Sequence, residues 1–246
     1  DRDLHQFDER AKVRDLIDAI GQLCGGPSHR DPTLAEPHLP GRLPRAWDVS
    51  VVDAPQLALP PVIRVPDFMV PPPDVREFVR DQWLDFSEDG ASYNFPIAGD
   101  CDGFFTELYD RFLDMSGNLL GPFSLSSKNS RTCFALCMND LTRTLPFHTH
   151  AQTAHINGVS YLSMPRHDPG EGALVLDDRL GQTLDIEVNE HELLIFDALS
   201  PHAPRHVTST DLRIAINMEI LVDRPDEVGA RFAGLGVGGR RARGAS

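Results

Sequence analysis

Cysteine is scarce in this chain, and what there is does not pair. Cys24, Cys101, Cys133 and Cys137 include no C-x-x-C pair and lack the density of a disulfide scaffold, which argues against a zinc knuckle, a dithiol redox centre and a small secreted fold. Reduced thiols follow. Cys133 and Cys137 lie four apart in an apolar stretch, share a face, and are expected in the core. Long apolar runs are also absent: none approaches a membrane span, and the start Asp1-Arg2-Asp3 lacks the basic-then-apolar pattern of a signal peptide. The reading is a cytoplasmic protein with no membrane partner. Positive charge is in deficit, with 23 Lys and Arg against 37 Asp and Glu and a net charge of -14, so no basic stripe is available for a phosphate backbone. A nucleic-acid partner is not expected, and a small-molecule substrate is. An anionic substrate stays compatible with this surface, because a metal and an arginine inside a cleft reverse the field locally. A homodimer is an assembly this composition leaves open.

What is present is enough for a core. Hydrophobic residues make up 41% of the 246, with 13 Phe, which rules against wholesale disorder and suits one catalytic unit. Phe7 to Leu23 has amphipathic helical spacing, stopped by Gly25-Gly26-Pro27, and a Pro-rich connector follows to Pro73. Within it Val49-Val52 and Val62-Val65 read as outer strands. Asp74, three residues before Glu77, opens a predicted helix carrying Val75, Phe78, Val79, Trp83 and Phe86, and a second runs through Phe104, Leu108, Phe112 and Leu113. Both stripes have core periodicity. The expected organisation is a helical and Pro-rich part, 1–120, packing on a β core, 121–225, followed by a mobile tail, 226–246. The glycines of that tail are not a nucleotide loop, since no helix pattern follows them.

After Gly121 the apolar residues come in short runs separated by turns: Thr132-Met138, Leu145-His150, Val159-Met164, Ala173-Leu176, Thr183-Val188, Glu192-Phe196, His202-Val207 and Leu212-Ile220. Such spacing predicts a mainly β sandwich or barrel with flanking helices, not alternating β-α units. In the second run, His148 and His150 flank Thr149, so a strand period of two points both imidazoles to one side. Neutral imidazole is a good ligand for iron, zinc, copper or nickel, and two on one face make a chelating pair. Surface His-x-His pairs also arise by chance, so a third element is needed. It comes in Leu193-Leu194-Ile195-Phe196-Asp197-Ala198-Leu199-Ser200-Pro201-His202, an apolar strand and a turn that deliver His202.

The last strand alternates sharply. Ile214, Ile216, Met218 and Ile220 share one face, and Arg213, Ala215, Asn217 and Glu219 share the other, which must therefore meet solvent or a polar cavity. A single arginine is usually a surface residue. Placed after His-x-His and a third histidine, Arg213 instead suits a far carboxylate of a metal-chelating keto acid, bound by its planar fork. Asn217, on the same face, is assigned to the cofactor with it. His155 and Asn157, near the metal-bearing segment, and Asp197, before the last histidine, are assigned to substrate contact or to orienting an imidazole. His167, His191 and His206 take the ordinary reading of solvent-facing or hydrogen-bonding residues.

These residues carry a family resemblance. Phe147-His148-Thr149-His150, then Asn157-Gly158-Val159-Ser160-Tyr161-Leu162 and Pro165, Gly172-Ala173-Leu174, and Leu194-Ile195-Phe196 with His202 and Arg213, resemble the 2-oxoglutarate- and iron(II)-dependent oxygenases. In those families a His-x-His pair precedes a Ser-Gly-Val-Tyr-Tyr strand and Phe-Pro-Ser precedes the last histidine. Here Asn157 stands for the serine, Ser160 for an aromatic residue and Asp197-Ala198 for Pro-Ser, and the likeness covers about residues 130 to 222. The resemblance implies a jelly-roll, cupin-like double-stranded β-helix holding Fe(II), with 2-oxoglutarate chelating iron and reaching Arg213, and with O2 as co-substrate. The implied activity is hydroxylation of a small molecule with release of succinate and CO2; chlorination and desaturation are related outcomes.

His148 and His202 correspond to the paired histidines of that fold, while His150 sits where most relatives carry Asp or Glu. Two histidines and a carboxylate leave a ferrous site with formal charge +1, whereas three neutral histidines leave it +2. His150 is read as a direct ligand, with two alternatives: it stands behind the metal and leaves a position for water or chloride, or a carboxylate such as Asp197 replaces it. Two other functions stay open: a three-histidine cupin-like dioxygenase that needs no 2-oxoglutarate, and a β-helix binding module without catalysis.

Overall fold

The alternation of the last strand is what organises the protein. The computed structural model describes residues 48–54, 56–86, 94–142, 144–165 and 168–235, all in the compact unit Glu36–Ser246. Its strands are β1 (Ser50–Val52), β2 (Val62–Val65), β3 (Asn94–Pro96), β4 (Cys133–Met138), β5 (Ile156–Ser163), β6 (Leu174–Asp177), β7 (Thr183–Ile186), β8 (Leu193–Asp197), β9 (His202–Pro204) and β10 (Arg213–Ile220). They form a seven-stranded sheet in the order β1-β2-β8-β5-β10-β4-β3 and a three-stranded sheet in the order β7-β6-β9, with antiparallel pairing throughout. From β5 onward the chain crosses from the large sheet to the small one and back, then repeats the crossing through β9 to β10. That winding is a double-stranded β-helix, the jelly roll expected from the sequence.

The two faces of β10 have separate fates. Ile214, Ile216, Met218 and Ile220 join the main core with Val75, Val79 and Trp83 of α1 (Pro73–Phe86) and Leu108, Phe112 and Leu113 of α2 (Phe104–Leu120). Ala215 instead packs with Val159, Tyr161, Leu174, Ile186 and Phe196 between the sheets. Burying each large side chain of the outer core stabilises the fold by roughly 1.5–3 kcal/mol, so this face fixes which way Arg213, Asn217 and Glu219 must point. The approach of α2 is close. A Cβ on Gly158 of β5 would lie 2.5 Å from the Phe112 ring. Cys133 and Cys137 sit in the same core, where burial pushes both thiols up to about 12.

The outer strands β1 and β2 pair as their sequence predicts, and β2 continues onto β8. Two expectations differ from the structure. Leu145-His150 is not a regular strand: it is held by one bridge between His148 and His202, because Pro146 has no N–H to extend a ladder. The expected tail 226–246 begins within a helix, α3 (Pro225–Leu235), whose Val228 and Phe232 are buried at helical spacing. The helix expected over Phe7 to Leu23 lies outside the described residues. Among those described, no helix is long and apolar enough to cross a membrane.

Candidate metal centre

Three histidines converge at the mouth of the β-helix. His148 is set by paired backbone bonds with the first residue of β9: its N–H donates to the His202 carbonyl at 3.1 Å and accepts the His202 N–H on its own carbonyl at 2.9 Å. Two residues on, the His150 N–H donates to the Ala198 carbonyl at 3.0 Å, and a turn follows immediately. The extended path from 148 to 150 thus survives without a full strand. Ring centroids lie 4.5 Å apart for His148 and His202, 5.0 Å for His150 and His202, and 5.2 Å for His148 and His150. One ligand atom from each lies within 4.8 Å of the other two.

The hydrogen bonds decide which nitrogen is free. His148 Nδ1 lies 3.1 Å from the Pro146 carbonyl, His202 Nδ1 3.0 Å from the Ser200 carbonyl, and His150 Nδ1 2.7 Å from Glu219 Oε1. Each partner is an acceptor, so each ring carries its proton on Nδ1 and leaves a bare Nε2. His150 Nε2 and His202 Nε2 are 3.3 Å apart. With no proton between them that contact is a lone-pair repulsion, unless a cation lies between. Imidazole nitrogens about 2.1 Å from a shared metal stand roughly 3–3.4 Å apart in tetrahedral or octahedral geometry, so the spacing fits a bound ion. Burial holds His202 down to about 3, with the nearby His148 adding to the effect, and burial lowers His148 as well. Both are therefore neutral and able to ligate at neutral pH.

A second feature shares the cavity, whose volume is about 450 Å³ including its open mouth. Arg213 lines it, 1% exposed, with Nε donating to the Gly172 carbonyl at 3.2 Å and its guanidinium carbon 5.2 Å from the Tyr161 ring centre. Among the described residues no carboxylate pairs with it. Burial lowers its pKa, yet a guanidinium starts so high that it stays charged. Gly172 has φ +66, a conformation strained for any residue with a side chain, and a Cβ there would crowd the Met164 methyl at 3.1 Å while only touching Arg213 at 3.4 Å. Tyr161 is fully buried with a hydroxyl that finds no partner among the described residues, and burial keeps its phenol protonated. A buried cation and an unused donor in one cavity are the kind of groups that suit an anion.

The remaining predicted residues divide. Asn217 lines the cavity and donates from Nδ2 to Glu219 Oε1 at 3.1 Å. Asn157 is fully buried opposite Glu219 in the sheet register, its amide unpaired among the described residues. His155 and Asp197 are outside the cluster. His155 Nδ1 accepts the Val222 N–H at 3.1 Å, and Asp197 Oδ1 accepts the Leu199 N–H at 2.9 Å, closing the turn before His202. Burial raises the Asp197 pKa, and the Leu199 N–H works against that rise. Tyr161 and Glu219 were not assigned roles from the sequence. The strand alternation put Glu219 on the same face as Arg213, but which histidine or arginine each residue meets is not a local property.

Fold and site together define a double-stranded β-helix protein with a three-histidine, metal-competent pocket. No family model matches the chain, and no curated protein matches it. Solved structures do. A Pseudomonas putida prolyl-4-hydroxylase is similar at 16% identity and TM-score 0.45, over 65% of this chain and 91% of its own. A Burkholderia pseudomallei oxidoreductase of the 2OG-Fe(II) oxygenase family is similar at 14% identity and TM-score 0.42, over 63% and 82%. HygX of Streptomyces hygroscopicus, with nickel and 2-oxoglutarate bound, is similar at 14% identity and TM-score 0.44, over 65% and 81%.

Proposed function

We propose that the chain is an iron(II)- and 2-oxoglutarate-dependent oxygenase that hydroxylates a small molecule. The observation that carries this reading is the pairing, in one cavity, of three bare Nε2 atoms with a buried guanidinium that no carboxylate among the described residues neutralises. His148, His150 and His202 would hold the metal, and Arg213 with the Tyr161 hydroxyl would hold the far carboxylate of 2-oxoglutarate. Bound iron supplies the activation of O2 that couples decarboxylation of 2-oxoglutarate, to succinate and CO2, with insertion of one oxygen atom into a substrate C–H bond.

The chain's own part is binding, orientation and exclusion of water. Val159, Leu174, Ala215 and Pro204 line the cavity with apolar groups, where a guanidinium and a carboxylate attract more strongly than in water. Those apolar walls would also limit the water that reaches a bound co-substrate. The Nδ1 bonds to Pro146, Ser200 and Glu219 set the ring orientations before any ligand arrives.

The test is succinate formation from 2-oxoglutarate by Fe(II)-reconstituted protein. Arg213→Ala should abolish it at moderate co-substrate concentration while iron still binds one per chain, and unchanged 2-oxoglutarate turnover in that variant would overturn the assignment. Iron binding that disappears in His148→Ala would exclude a metal-free binding module. Among the described residues no carboxylate joins the three histidines, which favours one second reading, a dioxygenase whose substrate itself chelates the metal. Oxygen consumption with no 2-oxoglutarate present would select it.

A further inference from the structure

We infer that Glu219 supplies, through the His150 ring, the negative charge that a three-histidine metal site otherwise lacks. This rests on the metal reading above. Three neutral imidazoles leave a divalent ion at formal charge +2, where two histidines and a carboxylate leave +1. Glu219 restores the difference one bond further out. Its Oε1 accepts the His150 Nδ1 proton at 2.7 Å, on the side of the ring away from Nε2, so it acts behind the ligand and not as one. The other two histidines donate to neutral carbonyls, of Pro146 and Ser200. Among the described residues no lysine or arginine pairs with Glu219, so its charge is directed at His150.

Glu219 is held through both its side chain and its backbone. Its side chain is 15% exposed, Asn217 Nδ2 donates to the same oxygen at 3.1 Å, and across the sheet the Tyr109 hydroxyl donates to the Glu219 main-chain carbonyl at 2.8 Å. A carboxylate bonded to Nδ1–H draws the proton toward itself and makes Nε2 a stronger donor to the metal. It also lowers the net charge seen by an incoming anion. Glu219 is thus a positioning and charge-setting residue, and its two effects have opposite signs: the metal binds tighter and anions bind weaker.

The experiment measures both on the full chain with Co(II), by competition with a chromophoric chelator and by azide titration of the cobalt absorption bands. Wild type should take one Co(II) per chain. Glu219→Gln keeps an acceptor for Nδ1 and removes the charge; it should bind Co(II) about 10- to 100-fold more weakly and azide several-fold more tightly. Glu219→Asp should recover part of the metal affinity. Equal Co(II) and azide affinities in wild type and Glu219→Gln would overturn the inference and leave the metal site standing. Weaker metal binding without tighter azide binding would also overturn it, reducing Glu219 to a steric prop. A wild type that takes up no Co(II) would overturn the metal reading itself. One measurement needs no variant: in Zn(II)-loaded wild type the His150 Nδ1 proton should resonate further downfield than those of His148 and His202, because only its bond is charge-assisted. Three equivalent resonances would contradict the inference.

Discussion

His202 carries the strongest constraint of any single residue at the site. In the metal-free protein, burial and the nearby His148 hold it at about 3, below the ordinary value of 6.5, so between those limits the unfolded chain binds a proton that the folded one refuses. Stability from this residue is therefore complete above pH 6.5 and falls as pH drops toward 3, by up to about tenfold in the folding constant per pH unit. His148, also lowered by burial, adds in the same direction. Urea midpoints of metal-free wild type and His202→Leu between pH 7 and pH 4 check this: the wild type should decline more steeply, and parallel slopes would contradict it. Tyr161 makes a different prediction, since its buried hydroxyl has no protein partner among the described residues. Tyr161→Phe should weaken 2-oxoglutarate binding by roughly 10- to 100-fold, the worth of a hydrogen bond to a charged group, with metal affinity unchanged and the melting temperature equal or higher. Calorimetric titration of the Co(II)-loaded variant measures it.

At the scale of elements, the site depends on how closely α2 lies on β5. Gly158 permits the Phe112 ring to rest on the sheet, and the ring is itself fully buried, so it has nowhere to swing. Gly158→Ala should destabilise the protein by roughly 1–3 kcal/mol through overpacking, read as a lower urea midpoint. Because β5 pairs with both β8 and β10, the shift should reach Tyr161 and Glu219, and the variant should also lose metal affinity. The segment before β5 shows how an irregular element serves as well as a strand. Pro146 prevents a ladder, yet its carbonyl receives the His148 Nδ1 proton, so the residue that breaks the strand also orients a ligand.

For the molecule as a whole, a ligand that binds only the folded chain shifts its unfolding. Fe(II) or Co(II) at 100 times its dissociation constant should stabilise by about 2.7 kcal/mol, which for a chain of this size raises the melting temperature by roughly 5–10 °C. Chelator should reverse the gain, and acid should shrink it, since ligating imidazoles must be unprotonated. The sequence by itself determined the class of architecture, because the strand alternation of Arg213-Ile220 and the stripes of the two packing helices are local patterns with local causes. It also put His148 and His150 side by side, and put Arg213 on a face that meets solvent or a polar cavity, the preceding histidines favouring the cavity. It overlooked the helix Pro225–Leu235, whose Val228 and Phe232 give a stripe too sparse to stand out beside a glycine-rich end. Only the tertiary structure decided which groups meet: the bridge that brings His202 against His148, the acceptors that put every proton on Nδ1, and the contact of Glu219 with His150. Those depend on sheet register and on how the chain crosses between sheets, and no periodicity along a single strand encodes the partner that closure places opposite it.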